Sequence, residues 1–274
     1  MQLSSFPVLA AVQWLAVNAL PIFLLTMALL LLLVAGLWQG GRRFGVYREG
    51  GRFSASGYQV IYMLIGFSVI VGSAALFAEL AENLGDGRQL GQLDQLFSKT
   101  IGASVGISTS RTFAALTHLG DPMTLIALAL AVTAWLAWQR QFAWCAGWTM
   151  ATAGNALLNP LLKIIFARAR PVHDQAVVAA SGFSFPSGHS SGSVVVYGML
   201  AYGAVRLLPQ RHAAWRLPAV LAATATAFTV SSSRVFLQVH FPSDVLAGIA
   251  SGAAWLAVCV GAMEVLRYRR RPVQ

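Results

Sequence analysis

The chain is expected to fold as an all-α, polytopic bundle of transmembrane helices, and three observations predict it. Apolar residues make up 57% of its 274 residues and charged residues only 10%, against about 45–50% and about 25% in ordinary soluble domains. Seven apolar stretches approach the ~20 residues that a helix needs to cross a bilayer. The basic residues alternate in density from one connection to the next, as membrane topology requires. The same composition excludes a soluble globular protein and a disordered one. The net charge of +10 is therefore read as topology rather than as a nucleic-acid surface, since no basic stripe interleaves with aromatics on a soluble domain. No nucleic-acid partner is expected.

The expected spans are 9–38, 57–81, 122–139, 142–165, 190–208, 217–233 and 243–266. The first lacks the basic flank and the small-residue cleavage site of a signal peptide and is too long for one, so it counts as a span. Pro21 is expected to kink it. The connection 38–56 carries Arg42, Arg43, Arg48 and Arg52. The third-to-fourth link carries Arg140. Arg206, Arg211 and Arg216 lie between the fifth and sixth spans, and Arg267, Arg269, Arg270 and Arg271 at the C-terminus. Twelve of the 19 basic residues thus fall on one side, which should be cytoplasmic. Seven of the nine acids fall on the other: Glu79, Glu82, Asp86, Asp94, Asp121, Asp174 and Asp244. The N-terminus is expected outside and the C-terminus inside.

Within the long 82–121 connection, Leu90, Leu93, Leu96, Phe97 and Ile101 fit a helix lying partly in the interface. His118, near its end, reads as structural. Gly/Ala/Ser-rich stretches at 151–156 and 247–254 suit close helix packing. Trp138 and Trp215 read as interfacial anchors. Cys145 and Cys259 lie in apolar runs and read as packing residues, not as a disulfide or a metal site.

The chemistry concentrates on the outer side. Lys163, Arg168 and Arg170 end the fourth span, and Arg234 ends the sixth. Pro186-Ser187-Gly188-His189 opens the fifth span, and His240 and Asp244 open the seventh. Cations converging near lipid need an anion among them, and arginine suits phosphate oxygens. A helix N-terminus at Gly188 adds free N–H groups, and glycine lets a ligand approach the backbone closely. One neutral imidazole can attack phosphorus while a second donates a proton to the leaving oxygen. Pro242 is expected at the first helical position. Asp244 can then reach back from the first turn to fix the tautomer of His240.

These residues resemble the type 2 phosphatidic acid phosphatase (PAP2) superfamily, whose three motifs are K-x6-R-P, P-S-G-H and S-R-x5-H-x3-D. The chain reads Lys163-IIFARA-Arg170-Pro171, then Pro186-Ser187-Gly188-His189, then Ser233-Arg234-VFLQV-His240-FPS-Asp244. Every fixed position and both internal spacings match. The resemblance covers about residues 57–266 and implies a six-span core over 57–274. Residues 1–56 would then be an additional N-terminal span and cytoplasmic loop.

The resemblance also implies roles. His240 would be the nucleophile that forms a phosphohistidine, oriented by Asp244. His189 would protonate the leaving oxygen and then activate water. Lys163, Arg170, Ser187, Gly188 and Arg234 would hold the phosphate. No metal and no cofactor is implied. Outside the motifs, Arg168 is expected either to aid headgroup binding or to be a solvated interfacial charge. His173 and Asp174 are expected in a loop, and Asn155 and Asn159 in interhelical hydrogen bonds.

The expected activity is hydrolysis of a lipid phosphate or diphosphate at the periplasmic face of a bacterial inner membrane. Undecaprenyl diphosphate is favoured over lipid A, phosphatidylglycerophosphate and phosphatidic acid. The rival readings are a lipid phosphotransferase and an anion or lipid transporter.

Overall fold

The computed structural model describes residues 6–44, 55–85, 87–172, 178 and 180–269, and these contain only helices and the links between them. Arg48, Glu49, Arg52, Asp86, His173, Asp174, Arg270 and Arg271 lie outside the described residues. The elements are α1 (Phe6–Val17), α2 (Ala19–Phe44), α3 (Ala55–Glu82), α4 (Gln89–Ser104), α5 (Ile107–Thr117), α6 (Pro122–Trp138), α7 (Phe142–Phe166), α8 (Gly188–Leu207), α9 (Arg216–Phe236) and α10 (Pro242–Arg269). Short 3-10 turns at His118–Gly120 and Gln210–Trp215 precede α6 and α9.

The first expected span is corrected. The apolar run breaks at Asn18, and only α2 continues across as a span, Ala19–Arg43. Pro21 has no N–H for the carbonyl of Val17, and Asn18 Nδ2 donates to the Trp14 carbonyl at 2.8 Å; the missing bond marks the boundary between α1 and α2, although the Asn18 amide still donates to Trp14 and the Ile22 amide to Asn18. α1 instead packs on α4, and α2 packs on α9.

Among the described residues five helical runs are long and apolar enough to span: Ala19–Arg43, Met63–Glu82, Ile107–Trp138, Gln210–Phe236 and Pro242–Arg269. The expectation was seven. The helices α7 and α8, 25 and 20 residues long, are diluted by Asn155, Asn159 and Lys163 and by His189, Ser190, Ser191 and Ser193. These residues mostly face the bundle interior. Conversely, α2 turns Leu24, Leu25, Leu29, Leu32, Leu33 and Leu37 outward, as a lipid-facing helix does.

The interior is built in three clusters. Leu125, Leu136, Trp148, Ala151, Val195, Val196, Met199, Cys259 and Met263 join α6, α7, α8 and α10. Ala16, Ala19, Ile101, Phe113, Phe236, Leu237 and Val239 join α1, α2, α4 and α5 to the end of α9. Leu80, Phe185 and Ala247 join α3, the segment before α8, and α10. At the far end, Glu264 of α10 accepts from Tyr202 and pairs with Arg206 of α8 at 2.7 Å.

The small residues of α7 and α10 set how closely the helices approach. A Cβ at Gly154 would stand 2.3 Å from the Trp255 ring, and one at Gly248 would stand 2.5 Å from the Ser187 carbonyl oxygen. The second obstacle is backbone and cannot rotate away. Gly248→Ala is therefore expected to destabilise the purified protein by about 1–3 kcal/mol and to lower its activity, because it displaces the start of α8. Gly261→Ala, which meets nothing within 4 Å, should leave both unchanged. Equal melting temperatures for the two variants would contradict this packing.

Candidate active site

Lys163 lies in the last turn of α7, which ends when Ala167 enters the left-handed region at φ 43°. A residue with a Cβ disfavours that conformation, and it sends Arg168 and Arg170 away from the helix axis. Lys163 Nζ donates to the Phe183 carbonyl. Arg170 donates to the carbonyls of Ser181, Gly182 and Phe183 and, at 2.7 Å, to that of Val239. Its Nη1 stands 3.1 Å from His240 Nε2. One guanidinium thus ties the 181–183 segment to the turn between α9 and α10. Burial holds Arg170 below its ordinary pKa, with Asp244 opposing.

Ser187 is the N-cap of α8. Its hydroxyl accepts from the Ser190 amide at 3.4 Å and from the Ser190 hydroxyl at 3.0 Å. Its amide donates to the Asp244 carbonyl at 2.9 Å, which joins the second motif to the third. Gly188 and His189 follow in the first turn, where amides precede the intrahelical ladder. A Cβ at Gly188 would stand 2.9 Å from Asn159 Oδ1, so only glycine fits without displacing that side chain. Asn159 donates to Ser191 Oγ at 3.2 Å, an interhelical bond from α7 to α8. Asn155 is also buried.

The third motif closes the site. Arg234 is buried and donates from Nη1 to Thr117 Oγ1 at 2.8 Å; Ser233 donates to the same hydroxyl. Arg234 Nε is buried and has no partner among the described residues, a donor that an anion would satisfy. Gln238 turns the chain at φ 56°, and the amides of Val239 and His240 both donate to the Arg234 carbonyl. His240 thereby stands just ahead of α10, which begins at Pro242 as expected. It is 2% exposed, and its Nδ1 lies 3.4 Å from Asp244 Oδ2. That is an approach within ion-pair range rather than a closed hydrogen bond. Burial outweighs the opposing Asp244 and, with smaller contributions from Arg170 and Arg234, holds the imidazole down to about 3.

Asp244 is fully buried and triply engaged. Its Oδ2 accepts from the Phe241 amide at 2.9 Å, and its Oδ1 accepts from Arg168 at 2.7 Å. Arg168 is the main correction to the sequence reading: it is not a solvated interfacial charge. It is 10% exposed, bridges Asp244 to Asp94 at 2.8 Å, and lies over the Phe241 ring. Asp94 also accepts from the hydroxyl and amide of Ser243. Burial lifts the Asp94 carboxyl above its ordinary range although Ser243 and Arg168 oppose this.

The second histidine is held separately. His189 Nε2 lies 2.9 Å from Asp121 Oδ1, and His118 Nδ1 lies 2.6 Å from Asp121 Oδ2. Among the described residues no hydrogen bond joins His189 to His240, but both lie close enough to Arg170 and Arg234 to feel their charge.

The sequence reading missed Asp94, Asp121 and Thr117 as parts of this site. Asp94 carried a signal. It sits on the α4 face formed by Gly91, Asp94, Ser98 and Ile101, which is the face the structure buries; the leucines chosen as the apolar stripe only flank it. An acid centred on a buried face needs a buried cation. Asp121 and Thr117 lie well before the motifs, and no spacing ties them to those residues.

Comparison with known proteins agrees with this arrangement. The PAP2 superfamily pattern matches residues 142–268, from the start of α7 almost to the end of α10. Phosphatidylglycerophosphatase B of Bacillus subtilis (strain 168) is 35% identical over 159 residues, which cover 57% of this chain and 76% of that protein. Lipid A 1-phosphatase of Rhizobium johnstonii is 34% identical over 113 residues, 38% of this chain and 41% of that protein. A crystal structure described as the first transmembrane PAP2 type phosphatidylglycerolphosphate phosphatase, from Bacillus subtilis, superposes with a TM-score of 0.64 at 27% identity. It covers 76% of this chain and 100% of the other. The motifs, the helical architecture and these relatives agree: the chain belongs to the PAP2 superfamily, as a multi-pass membrane phosphatase.

Proposed function

We propose that the protein hydrolyses a lipid phosphate through a phosphohistidine on His240, with its site at the periplasmic face of a bacterial inner membrane. The observation that carries this reading is the contact of His240 with Arg170 on one nitrogen and its approach to Asp244 on the other. A nucleophilic imidazole must be neutral with a free lone pair, and burial keeps His240 neutral at pH 7. Asp244 favours the proton on Nδ1; the Nε2 lone pair, which accepts from Arg170 Nη1 at 3.1 Å, becomes free to attack when a bound phosphate takes over that N–H.

The steps balance. The His240 Nε2 lone pair forms a bond to phosphorus, and the bond from phosphorus to the lipid oxygen breaks. His189 gives its proton to that oxygen. Water then attacks the phosphohistidine, its proton goes to His189, and the P–N bond breaks to release phosphate. Lys163, Arg170, Arg234 and the first-turn amides of α8 take up the oxygen charge that develops, the largest expected term. No step calls for a metal.

Orientation rests on charge. Helices α8 and α10 start at the site and end at Arg206 and at Arg267 and Arg269, while α9 starts at Arg216 and ends at the site. α2 ends at Arg42 and Arg43. These basic ends favour the cytoplasm, which supports a C-terminus on that side. The site then opens where a headgroup lies with its tail in lipid. We treat α1 and α2 as additions to a core running from α3 to α10. Phosphatidylglycerophosphate is the first substrate to test, in view of the relatives' names, and undecaprenyl diphosphate the second, in view of the outward site.

Phosphate release from a panel of lipid phosphates by the detergent-purified protein tests the reading. His240→Gln and His189→Gln are each expected to lose at least about three orders of magnitude in kcat. Asp244→Asn is expected to lose about two or more. Turnover surviving in His240→Gln would contradict it, and labelled phosphate passing to an acceptor other than water would convert it to a transferase. Excess EDTA should leave the rate unchanged; a loss restored by metal would exclude the metal-free scheme.

The His240 environment also predicts a pH effect on stability. The folded pKa of about 3 lies below the ordinary 6.5. As pH falls from 6.5 toward 3 the unfolded chain takes up a proton that the folded one does not, and stability declines. His240→Gln should decline less over that window. Parallel melting-temperature curves would contradict a neutral, buried His240.

A further inference from the structure

Asp121 occupies the N-cap position of α6, with extended backbone at φ −61° and ψ 143° and with Pro122 beginning the helix. An aspartate there ordinarily accepts an amide of the first turn and contributes about 1 kcal/mol. Here its side chain caps nothing. Both carboxylate oxygens instead meet imidazoles, Oδ1 that of His189 and Oδ2 that of His118. The site thus forgoes a common stabilising bond for two contacts to histidine.

The turn that carries Asp121 is held from two helices. Tyr197 of α8 donates its hydroxyl to the Leu119 carbonyl at 2.7 Å. Thr117, just before the turn, takes hydrogen bonds from Ser233 and Arg234 of α9. A Cβ on Gly120 would stand 2.2 Å from Val230 and 2.9 Å from Ser193, so α8 and α9 close directly on the backbone. His118, 72% exposed, lies on the solvent side and fixes the second oxygen of Asp121.

We propose that Asp121 is the positioning residue of His189: it fixes the ring through Nε2, leaves Nδ1 to face the leaving oxygen, and favours the protonated form that the acid step needs. Burial, with the positive charges of Arg234 of α9 and Arg170 of the segment after α7 adding to it, holds the His189 imidazole down to about 4. Asp121 is the negative charge that opposes them. His240 and Asp244 form a separate pair, so each histidine has its own carboxylate on its own element. This inference rests on the acid role proposed for His189.

The experiment is the pH dependence of kcat and KM for Asp121→Asn. The substitution is isosteric, and asparagine serves equally at an N-cap, so folding should be retained. Removing the carboxylate should lower the His189 pKa, so the basic limb of kcat should move to lower pH by about one unit. kcat at neutral pH should fall about tenfold or more while KM changes little. A basic limb that does not move, whatever the height of the profile, overturns the proposal. ¹⁵N-imidazole NMR of the unsubstituted protein, with the His189 signal assigned from His189→Gln, gives a test that no variant's folding can confound. A hydrogen-bonded Nε2–H supports the proposal, and an Nδ1–H tautomer overturns it. If His189→Gln retains full turnover, the acid role itself fails. If that variant is inactive while the basic limb of Asp121→Asn stays in place, only the assignment of Asp121 fails.

Discussion

Three cations, the half-buried Lys163 and Arg170 and the buried Arg234, sit together at one end of the bundle. Like charges in such a place repel by an amount on the order of kcal/mol per pair, and the fold must offset this. It does so in part with backbone. The carbonyls of Ser181, Gly182, Phe183 and Val239 all turn toward Arg170, and Lys163 shares the carbonyl of Phe183. What backbone dipoles leave uncompensated, including the Nε of Arg234, which has no partner among the described residues, a bound phosphate can complete. The wrapping of residues 181–187 and the left-handed turns at Ala167 and Gln238 follow from the need to bring these groups to one place. Such backbone conformations cost free energy on the order of 1 kcal/mol each and persist where surrounding contacts over-determine them.

The acids are distributed with equal economy. Asp244 lies behind His240 and is backed by Arg168, which is in turn shared with Asp94 of α4. A carboxylate buried this completely would be costly without a paired cation; Arg168 supplies that cation and leaves Oδ2 facing the imidazole. The helix α4 is therefore part of the site's support, and α1 packs on α4 in turn. This gives the N-terminal segment a physical place that apolar length alone did not reveal.

How much of this was legible in the sequence differs by element. The helical membrane class followed from composition. The three motifs marked Lys163, Arg170, Ser187, Gly188, His189, Arg234, His240 and Asp244 together, because their spacings lie within single helix ends. The prediction that α10 begins at Pro242 rested on proline's fixed φ and its missing donor. The break at Asn18 was not visible, since apolar residues run through it and the interruption comes from one missing N–H plus packing on α4. The spans α7 and α8 were read from length, whereas their polar faces show only once helices surround them. Asp94, Arg168 and Asp121 were each noticed as charges, but the pairings that bring them to the site, Asp94–Arg168, Arg168–Asp244 and Asp121–His189, join residues 68 to 76 apart in the chain. Pairings at that separation are set by tertiary structure and leave no local pattern.

The central claim is that the cationic cluster presents a phosphoryl group to His240. The most direct test is to mix the protein with a ³²P-labelled lipid phosphate, quench in alkali, which preserves phosphohistidine, and locate the label by peptide mass spectrometry. The account predicts label on His240, accumulating when His189 is replaced and the leaving group is a good one. Label on another side chain, or turnover with no label on any histidine under conditions that should trap it, would contradict the account.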